Sequence, residues 1–268
     1  MFGCRNKQIK YLFARLIAGI YMLINCADAD TLKINSIQFY MKEGQVSTLS
    51  LFRFSGFRSK VWAFAQMGLA PRRMGKIPGL QFQKLVGSGA TNGFGIRPNF
   101  EVYGMLNVWD DEQSADHFFQ HHPVFKAYEK HACAVQTVFL RTSMVHGSWD
   151  GGTPFHPSVK FDPNASLAVL TRATIRKRYL WRFWRDVPGV SRDVADKPGL
   201  LFAIGIGELP FVQQATFSLW QTGVQMMDFA YQRDDHRAVI KKTRELGWYK
   251  EELFTRFVPF RTVGSGIW

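Results

Sequence analysis

Cysteine is scarce: Cys4, Cys26 and Cys133 are the only three, scattered without a CxxC pair or a metal spacing. An odd, unpaired count excludes a disulfide framework and fits a reducing compartment, the cytoplasm. The familiar catalytic signatures are missing as well. There is no GxSxG, no HExxH and no GxGxxG opening a helix after a strand, which removes the usual hydrolase, zinc-protease and dinucleotide-binding readings. Zinc-finger and RRM signatures are absent, so nucleic acid is supported by charge alone. Acidic residues are the minority, 21 against 34 Lys and Arg, leaving a net charge of +13. That balance favours anionic partners. No run is long and apolar enough for a clear bilayer span. The stretch Tyr11 to Ile24 follows Arg5, Lys7 and Lys10 and precedes Ala27-Asp28-Ala29, the outline of a secretory signal, but Arg15 interrupts it. Residues 1–45 therefore read as an extension: a mis-called start, with Met41 as a second start, or an amphipathic membrane segment, or a true signal.

Aromatic residues are abundant, 15% of the chain with 24 Phe and 8 Trp. Such a share serves a core, and it also suits a site for a long, flat, apolar ligand. One stretch joins both excesses. Arg172, Arg176, Lys177, Arg178, Arg182 and Arg185 accompany Tyr179, Trp181, Phe183 and Trp184. It reads either as a membrane-interface helix or as a helix with a core stripe and a solvated basic face.

An internal repeat organises the chain. Trp62-Ala63-Phe64 returns as Trp181-Arg182-Phe183, Pro78-Gly79-Leu80 as Pro198-Gly199-Leu200, and Val108-Trp109 as Leu219-Trp220. At the offset of the first pair, Leu51 meets Leu170 and Arg53 meets Arg172. Each copy reads strand, helix, strand, strand, helix, strand, a ferredoxin-like unit. In the first copy, strands are expected at 46–54, 80–86, 100–109 and 135–140. Helices are expected at 58–76, broken by Pro71, at 112–120 after an Asp110 or Asp111 cap, and after Pro123. In the second, strands are expected at 167–174, 200–206, 212–220 and 252–260, with helices at 176–193, 222–231 and 235–246. The predicted fold is α+β: repeats 46–143 and 166–262, joined by a linker at 144–165, packed sheet to sheet as a pseudo-dimer of the dimeric α+β barrel type. The space between sheet and helices is the candidate pocket, with Trp62, Phe64, Trp181 and Phe183 as candidate substrate walls.

The titratable candidates are few. Arg53 and Arg172 alternate inward on matching strands, where each needs an anion; a haem propionate or a salt bridge to Glu208 or Glu251 would serve. Glu208, Glu251 and Glu252 read as structural anchors or pocket carboxylates. His117 and His121 sit four apart, without a third ligand. His236 stands where the first copy has Phe125, a polar group in an apolar place. The glycine-rich stretch 87–98 reads as a long hairpin loop or a lid.

Several runs resemble the spheroidene monooxygenases of bacterial carotenoid biosynthesis. They are SLFRF (50–54), WAFAQMGLA (62–70), KLVGSG (84–89), GIGELP (205–210), TFSLW (216–220) and GWYKEELFTRF (247–257). The resemblance spans about residues 46 to 260. It implies an oxygenase that places a keto group, through a hydroxyl, at the C2 end of acyclic carotenoids such as spheroidene. It also implies haem with iron, a ferredoxin-like electron donor, and a cytoplasmic protein peripheral to an anionic inner or photosynthetic membrane. His236 begins a family-like HxxxI run and is the expected axial ligand. Two departures stand out: the N-terminal extension, and a histidine missing from Phe211-Val212-Gln213-Gln214. The competing classes are a haem-free oxygenase of the same fold, a carotenoid or lipid carrier, and a nucleic-acid-binding protein.

Overall fold

The computed structural model describes residues 44–89, 98–181, 197–209, 211–231 and 248–268. Eight strands are present: β1 (Val46–Arg53), β2 (Leu80–Gly89), β3 (Pro98–Trp109), β4 (Ala134–Gly147), β5 (Leu167–Ile175), β6 (Leu200–Gly207), β7 (Gln213–Trp220) and β8 (Tyr249–Ser265). They close into a barrel in the order β1-β3-β2-β6-β7-β5-β8-β4, with every neighbouring pair antiparallel. The fold is an α+β barrel. Read outward from the shared β4–β8 seam, the first four strands run 4-1-3-2 and the last four 8-5-7-6, the same order in both halves.

Alternation along each strand divides the side chains between two environments. Leu49, Leu51, Leu106, Val138, Leu170, Phe217 and Phe257 point into the barrel and form its core. Val46, Phe52, Met105 and Phe139 point the other way, under the helices of the first half. Leu167, Val169, Trp220 and Phe254 do the same in the second half. Both faces of β1 are buried, which is why it reads as VSTLSLF rather than as a polar–apolar alternation.

Helices α1 (Phe57–Met74), α2 (Glu112–His121) and α3 (Pro123–His131) cover the first sheet. Pro71 does not break α1 as expected. It falls in the final turn, where its missing N–H removes one bond shortly before Gly75 ends the helix. Of the two candidate caps, Asp111 is the one used: its carboxylate accepts the Ser114 N–H. In the second half α4 (Gly223–Tyr231) is described, and Lys177–Tyr179 forms a short 3-10 turn. The expected helix at 235–246 and most of that at 176–193 lie outside the described residues.

Register refines the repeat. Trp109 pairs with both Val46 and Leu80, and Trp220 with both Leu167 and Leu200; a bulge follows Leu80 and Leu200 alike. Arg172 thus corresponds in register to Leu51 rather than to Arg53, two residues from the sequence alignment. A slip of two leaves every side chain on its original face, so the inward reading of both arginines survives the correction. β4 also runs on to Gly147, so the connection begins later than expected. Gly147 has φ +89, and a Cβ there would collide with the Glu252 carbonyl.

Candidate functional site

The connection from β4 to β5 enters the barrel. Trp149 and Phe155 are buried in the interior core, Trp149 against Phe82 and Phe155 against Phe82 and Phe257. Around them lies a charged network. Arg172 Nη1 donates to Glu251 at 2.6 Å, and Nη2 sits 3.5 Å from Glu208 and 3.6 Å from Asp150. Lys84 Nζ pairs with Glu208 at 2.8 Å and with Asp150. The Trp149 indole N–H donates to Glu208 at 2.9 Å, and the Arg172 guanidinium stacks 4.7 Å over the same ring. Glu251 also accepts from Ser148 Oγ at 2.9 Å and from the Gly151 N–H at 2.7 Å.

Burial alone would raise the Glu251 carboxyl. The Gly151 N–H, Arg172 and Ser148 overcome it and hold the pKa at about 2. For Lys84, burial pulls the ammonium down while Asp150 and Glu208 raise it, and the outcome is upward. Every carboxylate here is committed to a cation or to the linker. The network therefore fastens the linker into the barrel and leaves no group poised for proton transfer.

The opposite mouth is closed in a parallel way. Trp268 packs on Phe202 with ring centroids 4.8 Å apart. The Gln136 side chain accepts the Ile267 and Trp268 N–H groups at 3.1 and 3.2 Å. Phe202 corresponds in register to Phe82, and Trp268 follows Trp149 by the offset that separates Trp62 from Trp181. Sequence reasoning passed over this Trp pair, although the spacing was visible.

The helix-facing sides of the two sheets differ. In the first, Phe52 pairs with Tyr103 and Leu85 with Met105. These four side chains, with Phe54, Trp62, Phe125 and Tyr128, pack an aromatic layer between sheet and helices. At the corresponding positions the second sheet has Ala173 paired with Gln214, and Gly205 with Thr216. Ser218 and Ala203 continue the row of small residues, where the first sheet has Asn107 and Gln83. Ala173, Gly205, Thr216 and Ser218 are all buried. The first half is filled with aromatic rings; the corresponding positions of the second half carry small side chains, with Ile175 and Phe254 on the same face.

The expected site residues are placed as follows. Arg172 faces the barrel interior, away from that row of small residues, and its partners are Glu251 and Glu208, the salt-bridge alternative. Buried in the barrel, it is also no part of a basic surface. Arg53 is exposed at the other mouth, where Nη2 donates to the Ile267 carbonyl at 3.3 Å. Alternation sends both arginines away from the helix-facing side. Trp62 stacks on His131 at 3.9 Å within the filled half. Phe64 and Trp181 are exposed. Phe183 and His236 lie outside the described residues, as does most of the glycine-rich loop. His117 and His121 stack on the surface of α2, and among the described residues no cluster of three His, Cys, Asp or Glu side chains forms a metal site.

No family model matches the chain. It is 38% identical over 222 residues to the spheroidene monooxygenase of Rhodobacter capsulatus, covering 82% of this chain and 92% of that protein. It is also 38% identical over 222 residues to that of Cereibacter sphaeroides, covering 68% of the relative. The spheroidene monooxygenase of Rubrivivax gelatinosus is 33% identical over 218 residues, 78% of this chain and 80% of that protein. Among solved structures, an aldoxime dehydratase in complex with butyraldoxime superposes with a TM-score of 0.54 at 10% identity, covering 82% of this chain and 80% of that one, a likeness of fold alone.

Proposed function

The chain belongs to the spheroidene monooxygenase family and is an oxidoreductase of the monooxygenase class; from that membership we propose that it oxygenates a long acyclic carotenoid such as spheroidene at its C2 end. Two successive hydroxylations of one carbon, each taking one oxygen atom from O2 with two electrons and two protons, give a geminal diol. Loss of water leaves the ketone. On this reading the chain is two tandem ferredoxin-like repeats forming a pseudo-dimer, and it works at the surface of an anionic membrane with a ferredoxin-like donor.

What supports the placement of the chemistry is the row of small side chains on the helix-facing side of the second sheet, which we read as the floor of a hollow: Ala173, Gly205, Thr216 and Ser218 would leave room for a flat macrocycle where Phe52, Leu85 and Met105 fill the first half. Haem bound there would supply O2 activation. His236 is the proposed axial ligand. The chain's own contribution is spatial: small side chains make room for the ring, Ile175 and Phe254 give apolar edges, and burial excludes water. A C–H oxidation of this kind needs no acid–base triad, in keeping with the missing motifs.

The test is the visible spectrum of the full chain purified with haem supply, wild type against His236→Ala. A haem band lost in the variant supports both cofactor and ligand. A band retained moves the ligand elsewhere. A colourless wild type, with a control haemoprotein loaded in parallel, rejects haem and promotes the haem-free oxygenase.

A further inference from the structure

Helix α1 buries Ala63, Gln66, Ala70 and Met74 and turns a second apolar strip outward. Phe57, Val61, Phe64, Gly68 and Pro71 follow one another at spacings of four and three, so they share one line along the helix. All five are exposed, Phe57 by 82% and Phe64 by 60%. Phe100, 47% exposed at the start of β3, extends the ridge; its ring lies 5.7 Å from that of Phe64. A protein that buries Phe52, Phe54, Phe118, Phe125 and Phe139 leaves these rings in water. A contiguous exposed ridge of this kind marks an interaction surface.

Charge identifies what it meets. α1 contains no Asp or Glu. Arg58 and Arg72 are exposed beside the ridge, while Lys60 is answered by Glu101 at 2.7 Å. A second copy of this face would set arginine against arginine with no acid to compensate. An anionic bilayer answers both features, phosphates for the guanidiniums and acyl chains for the rings.

We infer that the α1 ridge is the membrane-docking surface, with Phe57, Phe64 and Phe100 entering the headgroup–acyl boundary and Arg58 and Arg72 lying among lipid phosphates. The inference deepens the membrane contact of the proposed function and rests on that reading. It assigns the contact to α1 rather than to the basic–aromatic stretch around Trp181.

The probe is co-sedimentation of the full chain with carotenoid-free vesicles of phosphatidylcholine, with and without phosphatidylglycerol. Since no substrate is present, docking and carotenoid oxidation fail independently. Wild type is expected on the anionic vesicles and to be released by added salt. Phe57→Ser with Phe64→Ser should lower the bound fraction about tenfold or more. Arg58→Gln with Arg72→Gln should remove the preference for phosphatidylglycerol. Trp181→Ser should bind as wild type. All substitutions are at exposed positions, and matching melting curves confirm the fold. Wild type left in the supernatant, full binding by the double Phe variant, or binding lost in Trp181→Ser alone overturns the assignment. So does a fall in oligomeric mass by light scattering in the double Phe variant, which would identify a second copy as the occupant.

Discussion

Arg172 on β5 and Glu251 on β8 meet inside the barrel at 2.6 Å, with the guanidinium also resting on the ring of Trp149 from the linker. The pair joins two neighbouring strands and the connection between the halves in one contact.

Breaking it from one side is expected to be costly. Arg172→Met leaves Glu251 without a cation and Glu208 with Lys84 alone, at a loss on the order of 3–5 kcal/mol. The urea midpoint measures it. Adding Glu251→Gln and Glu208→Gln to the same variant should recover part of the loss, because no charge is then left unpaired. A midpoint equal to wild type for Arg172→Met would mean that the network carries no stability.

Acid should loosen the same place. The Glu251 carboxyl sits at about 2 in the fold against an ordinary 4.5. A carboxylate depressed by folding stabilises the native state above its unfolded value, and that contribution drains away as pH falls from about 4.5 through about 2. Its size is on the order of 3 kcal/mol. Glu251→Gln should unfold with a flatter pH dependence across that interval; identical slopes for the two proteins would contradict the assignment.

The linker is part of the core. Phe155→Ala and Trp149→Ala each leave a hole lined by Phe82 and are expected to destabilise by about 3–5 kcal/mol. They should also open the 148–166 segment to limited proteolysis. Resistance equal to wild type would show the linker held by other contacts.

Filling the hollow should abolish function while preserving the fold. Ala173→Phe with Gly205→Leu gives the second sheet the bulk that the first already has. If the space is a binding site, haem uptake and carotenoid turnover disappear and the melting temperature holds or rises. If it is instead closely packed, overpacking lowers stability by about 1–3 kcal/mol. The converse change, Phe52→Ala in the first sheet, should cost stability without altering the haem spectrum.

Much of this architecture is legible in the chain. The strands announce themselves by alternation, and the Trp109 and Trp220 repeats fall on equivalent pairings. Period two has a blind spot, however: offsets of 119 and 121 put the same residues on the same faces, so only hydrogen-bond register separates Arg53 from Arg172. The pocket walls went astray for a helical reason. Trp62 and Phe64 are two apart, which on an α-helix sends them about 200° from each other, one inward and one to solvent. Arg172 and its two carboxylates were readable as charges seeking partners, but the linker that joins them lies in a Gly- and Pro-rich stretch with no periodicity to follow. The row of small residues was written in the substitutions of Phe52 by Ala173 and Leu85 by Gly205, and it needed the correct register before it could be seen.

With Trp149 wedged in one mouth and Trp268 in the other, the barrel axis is stoppered at both ends. The cylinder is a strut rather than a conduit: nothing the length of a polyene threads through it. On the proposed reading the substrate therefore meets the second sheet from its outer face, away from the barrel axis.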